Sequence, residues 1–145
     1  MRKIAIIGVL ILVILSSGCE KKKDYWEEMD GLTHLLAELL PVMREDVKLL
    51  NQNPTLNEVE KEKIIARFET IIITCQKMME LKPPKEAETF HKLQSECCAE
   101  TIESLKNLQE FVRTWNEDYW QKSLEHFQKA NLKYTEATNE HIRIR

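Results

Sequence analysis

The chain holds four cysteines, four histidines and five methionines, and few of them stand where their neighbours would help them do chemistry. Cys75, Met78 and Met79 sit at i, i+3 and i+4. On a helix that spacing gathers a thiol and two thioethers on one side, a soft donor set suited to Cu(I). The same three residue types are also ordinary core packing. Glu88-Thr89-Phe90-His91 is a Glu-x-x-His pair, but carboxylate-bridged di-metal sites in helical bundles take two such pairs and further glutamates. His34, His126 and His141 are preceded three residues earlier by Gly31, Ser123 and Thr138, so no second pair exists. Cys97 and Cys98 are adjacent, do not form a Cys-x-x-Cys motif, and on a helix point about 100° apart. No Gly-rich phosphate loop occurs. No serine or cysteine nucleophile has a base at a recognisable spacing, so a non-catalytic protein is expected.

The other cysteine, Cys19, stands in a different setting. Met1-Arg2-Lys3 is a short basic segment, Ile4 to Leu15 is apolar apart from Gly8, and Ser16-Ser17-Gly18 leads into Cys19. Charge, core length and small residues at the boundary are those of an export signal. The apolar run is shorter than the roughly 20 residues a membrane span needs. Leu15-Ser16-Ser17-Gly18-Cys19 resembles the bacterial lipobox, with Ser16 at the position where that family favours leucine. The resemblance implies that the Cys19 thiol receives a diacylglyceryl group and that a peptidase removes residues 1–18. It also implies that acyl chains anchor the mature protein to a membrane outside the cytoplasm, since two chains give stable attachment. Residues 19–24 then read as the lipidated cysteine and a tether reaching under roughly 20 Å if extended. Lys21, Lys22 and Lys23 either meet anionic headgroups or are solvated.

The net charge of the whole chain is −3, and losing Arg2 and Lys3 with the signal makes the remainder more acidic. An acidic surface without a basic stripe argues against a nucleic-acid partner. Three glycines and four prolines are too few for a turn-rich all-β fold. What remains is helical periodicity. Tyr25, Met29, Leu32, Leu36, Leu39, Met43, Asp46 and Leu50 step by three and four, with only Asp46 breaking the apolar series and Val47 beside it. Pro41 falls on the opposite face, where it should bend the helix without ending it. Asn51 to Pro54 reads as a turn, and Thr55 to Glu58 as a capping box.

A second stripe carries Ile64, Phe68, Ile71, Cys75 and Met78 and stops at Lys82-Pro83-Pro84, with Pro84 in the first turn of a third helix. That helix carries Phe90, His91, Cys97, Cys98, Leu105, Phe111 and Trp115. Asn116-Glu117-Asp118 suggests a break with Asp118 as N-cap and Gln121 reaching back; otherwise helices three and four run on as one. The fourth stripe holds Trp120, Leu124, Phe127, Tyr134 and Ala137. Trp115, Tyr119 and Trp120 form either a cap over the core or an anchoring patch.

The expected fold is all-α, an antiparallel up-down-up-down four-helix bundle over residues 25–138 with a frayed tail at 139–145. It is similar to small uncharacterised all-helical lipoproteins of bacteria, a resemblance that implies location and architecture but no activity. The expected function is binding or scaffolding at the cell envelope, with the membrane as one partner and an envelope protein as a possible second. No cofactor is expected beyond the lipid at Cys19. The alternative is a soft-metal, Cu(I), or small-ligand site at Cys75, Met79 and His91. A tight turn between helices two and three places Cys75 opposite Thr89 to His91, and Cys97 and Cys98 opposite Arg67 to Glu69. The axial gap is then roughly 10 Å, too wide for a disulfide, so three free inner thiols are expected. His34 and His126 fall on solvated faces.

Overall fold

A computed structural model describes residues 20–52 and 55–144, with side chains from Asp24 onward; Cys19 and residues 1–18 lie outside the described residues. The described residues form a helical bundle of four α-helices: α1 (Glu20–Asn51), α2 (Glu58–Glu80), α3 (Glu88–Thr114) and α4 (Glu117–Arg143). A 3-10 turn, Lys85–Ala87, precedes α3. No strand occurs among the described residues, and no described helix is long and apolar enough to cross a membrane.

α1 begins at Glu20, so Glu20 to Asp24 is helical. Lysine and glutamate are good helix formers, and the stripe that starts at Tyr25 anchors the helix they belong to. Five helical residues advance only about 7 Å. The buried face of α1 is Tyr25, Met29, Thr33, Leu36, Leu40, Met43, Val47 and Leu50, with Leu32 and Leu39 half-buried beside it. Pro41 lies on the exposed side and α1 continues through it, because its missing N–H and its ring face solvent and not the core.

The polar misfit in that stripe has a partner. Asp46 is buried, and its carboxylate accepts from Arg67 of α2 in a bidentate pair, Nε to Oδ2 at 2.6 Å and Nη2 to Oδ1 at 2.5 Å. Two parallel charge-assisted bonds from a planar fork fix the level at which α1 and α2 meet.

The capping box of α2 is two residues later than the sequence suggested. Asn57 is the N-cap: its Oδ1 accepts from Glu60 N–H at 3.0 Å, and Glu60 Oε2 accepts from Asn57 N–H at 2.8 Å. The cap-x-x-Glu pattern occurs twice in Thr55 to Glu60, and the later copy lets Leu56 pack on the core. Asn57→Ala should therefore cost about 1 kcal/mol, as N-cap losses do. Thr55→Ala should be neutral. Urea midpoints of the two variants decide between the registers, and the reverse order would restore the earlier one.

α2 ends at Leu81, where ψ turns extended ahead of Pro83 and Pro84. Pro84 precedes the 3-10 turn instead of entering α3, so the chain overshoots the end of α2 before α3 turns back. The register of α2 against α3 follows from this. Gln109 Nε2 donates to the Ile65 carbonyl at 3.2 Å and to Glu69 Oε2 at 3.0 Å. Counting back from that level, Cys98 and Cys75 lie about 16 and 15 Å along their helices in the same direction. Cys75 thus faces Cys98, not Thr89 to His91, and the expected 10 Å gap is absent.

α3 and α4 are separate helices. Trp115 caps α3 in the left-handed region at φ 54°, which stops helical propagation in one residue. Asn116, not Asp118, is the N-cap of α4, accepting from Asp118 N–H at 3.0 Å, and Gln121 reaches Glu117 instead of the cap. The α3–α4 pairing is the most extensive in the fold. Small buried residues at heptad spacing, Ser123, Ala130 and Ala137, allow that close approach. Across it run Glu96–Lys133, Glu100–His126, Ser104–Ser123 and Phe111–Trp120, partners descending along α4 as they ascend along α3. α4 continues past Thr138 to Arg143, with His141 buried, so residues 139–143 are helix and not a frayed tail.

Candidate functional site

The densest gathering of functional side chains is at the end of the bundle where α1 begins. Tyr25 and Trp26 of α1 meet Phe90 and His91 of α3 and His141 of α4. The Tyr25 hydroxyl is 3.2 Å from His91 Nδ1, and Trp26 lies 5.5 Å from Phe90. His141 is held between Trp26 at 5.6 Å and Phe90 at 5.3 Å, measured between ring centroids. Each position follows from periodicity: Tyr25 opens the α1 stripe, Phe90 and His91 fall in the first turn of α3, and His141 is one turn beyond Ala137.

Burial sets the chemistry of this end. It pushes the Tyr25 phenol above its ordinary range, so the hydroxyl stays protonated within hydrogen-bond reach of His91 Nδ1. Burial also lowers His91, with a weaker opposing pull from its hydrogen bond to the Met79 backbone. The tautomer that satisfies both contacts accepts from Tyr25 at Nδ1 and gives its ring N–H to the Met79 carbonyl. In that tautomer the neutral imidazole ties α1, α2 and α3 together at this end.

The consequence for stability has a definite sign. With the folded value below the usual 6.5, the unfolded chain takes up a proton first. The stabilisation is intact above about pH 6.5 and is lost as pH falls towards the folded value. His91→Gln keeps an acceptor and a donor but does not titrate. The wild type should therefore lose more of its urea midpoint between pH 7.5 and 5.5 than the variant does. Equal losses would remove the burial account of His91.

The three residues of the soft-metal alternative, Cys75, Met79 and His91, differ in their surroundings. Cys75 is buried between α2 and α3, whereas Met79 is exposed and Met78 takes the core position one turn from Cys75. His91 is engaged by Tyr25 and the Met79 backbone. Among the described residues no group of three or more His, Cys, Asp or Glu is arranged to hold a metal ion. The three inner thiols are free and buried, and burial pushes Cys97 up to about 12.

Two features escaped the sequence. His126 is not a solvated residue: its Nδ1 lies 2.6 Å from Glu100 Oε2, in a ladder where Lys133 bridges Glu96 and Glu136 at 2.9 Å each. An open groove of about 370 Å³ runs beside the ladder, lined by Glu96, Ala99, Glu100, Lys129, Leu132, Lys133 and Glu136. His141 sits in polar sequence, and only the length of α4 carries it back to Trp26. A second groove, of about 510 Å³, lies between α1 and the end of α2, lined by Glu28, Gly31, Leu32, Lys77, Glu80 and Leu81. His34 is exposed, 3.7 Å from Glu38, as expected for a solvated face. No protein-family model, curated protein or solved structure matches this chain.

Proposed function

We propose that this chain is a non-catalytic, lipid-anchored protein of the cell envelope whose four helices run up-down-up-down and which acts by binding or scaffolding at a membrane surface. The observation that carries the reading is the segment Met1 to Cys19: a basic start, a short apolar run, small residues, then cysteine. Support for the topology comes from the ordered partner pairs of α3 with α4, and from Asp46–Arg67 and Gln109–Ile65 at the other two interfaces. Helix α1 starting at Glu20 holds the bundle close to Cys19. Trp26, half-buried in its second turn, belongs to the end that would face the bilayer, where aromatic side chains with a polar edge are well suited. His91, in hydrogen-bond reach of Tyr25 and half-buried, favours a packed scaffold over a reactive centre at that end.

Metabolic labelling with a palmitate analogue tests this. The wild type should be labelled and recovered with membranes, and Cys19→Ser should be unlabelled and retain residues 1–18. Release of the wild type into the medium without lipid would overturn the proposal.

A further inference from the structure

Cys75 and Cys98 are the buried nucleophiles that the bundle brings face to face. They come from different helices, and both belong to the same core cluster. Their levels coincide by the independent count from Gln109 and Ile65, and the Cys98 thiol interacts with that of Cys75. One polar side chain is built in beside them: Gln94 of α3, itself buried, points Nε2 at Cys98 Sγ from 3.9 Å. Its Oε1 is buried with no hydrogen-bond partner among the described residues. Cys97, next in sequence, lies outside that cluster, because adjacent positions on a helix diverge by about 100°.

We propose that Cys75 and Cys98 are a redox modification site, a dithiol poised to close into a disulfide between α2 and α3. The oxidant class is a disulfide, RSSR, acting by two exchanges. In the first, the sulfur of Cys75 attacks RSSR, forming a mixed disulfide and releasing RSH with the Cys75 proton. In the second, Cys98, its developing charge met by the Gln94 amide N–H, attacks the Cys75 sulfur. The Cys75–SR bond breaks, the Cys75–Cys98 bond forms, and the departing RS⁻ leaves as RSH with the Cys98 proton. The two cysteines lose two electrons together, and RSSR is reduced to two RSH. Both sulfurs are buried, so exchange waits on local opening of the α2–α3 seam, whereas the equilibrium depends on how well the fold aligns the pair. The product is uncharged, which suits an apolar core better than a thiolate would. The pairing of Cys75 with Cys98 depends on the tertiary register and not on lipid attachment.

The test is equilibration of the full chain in glutathione redox buffers, folded and in denaturant, followed by acid quench and peptide mapping. The bridge joins tryptic peptides 68–77 and 93–106. A flexible loop gives an effective concentration on the order of millimolar, and the folded chain should exceed its own denatured value by roughly 100-fold or more. The link should survive Cys97→Ser and vanish in Cys98→Ser. A folded value no higher than the denatured one, or a link that persists in Cys98→Ser, would overturn the proposal.

Discussion

Trp120→Ala should destabilise the fold by about 3–5 kcal/mol, the range for removing a large aromatic side chain from a packed core. Trp120 is in the first turn of α4, only 2% exposed, with its ring 5.2 Å from Phe111. Phe111 in turn lies 5.1 Å from Trp115, the left-handed residue that ends α3. The indole therefore fills the space directly beneath the α3–α4 turn, and that tight turn leaves the backbone little room to collapse into the void. Trp120→Phe should recover about half of the loss, since a smaller ring still meets Phe111. Tyr119→Ala, half-buried at the rim, should cost under about 1 kcal/mol. Urea unfolding with unchanged m-values is the measurement. A loss under about 1 kcal/mol for Trp120→Ala would show that the start of α4 is not docked on α3.

The second large effect is expected at Asp46 and Arg67. Arg67→Met removes the bidentate partner of a carboxylate 7% exposed. Breaking a fully buried pair costs about 3–5 kcal/mol. The Arg67 side chain is 37% exposed, so water reaches the vacated position and the expected loss is nearer about 2–3 kcal/mol. Asp46→Leu combined with Arg67→Met should restore most of that stability or exceed the wild type, because the α1 stripe then becomes continuous. A double-mutant cycle reads the coupling directly. Coupling under about 0.5 kcal/mol would make the pair an ordinary surface contact.

Asp46 shows where sequence reading succeeded and where it stopped. Periodicity located every helix, because burying one face selects apolar residues at a repeat near 3.6, and that selection is written locally in the chain. It also marked Asp46 as the misfit, but a partner on another helix leaves no trace in α1 itself. Helix ends were less legible for a local reason. Thr55 to Glu60 contains two overlapping capping patterns, and at Asn116 to Asp118 two residues could serve as N-cap. Packing of Leu56 and the left-handed Trp115 made the choice.

The sequence by itself determined that the chain is helical, which face of each helix is apolar, and that a basic start, a short apolar run and small residues precede Cys19; whether α3 breaks from α4 stayed open until Trp115 and Asn116 settled it. The features so determined are properties of single segments, governed by hydrophobic periodicity, capping and charge. The tertiary structure alone decided which residues face one another. An extended Leu81 to Pro84 carries the chain past the end of α2 and shifts α3 by about eight residues, or roughly 12 Å, from the register a tight turn would give. Cys75 is thereby moved from the level of His91 to that of Cys98. The same shift frees His91 to pin Tyr25, and the full length of α4 delivers His141 between Trp26 and Phe90. Register between helices is the joint outcome of linker geometry and close packing along whole interfaces, so no single stretch of sequence encodes it.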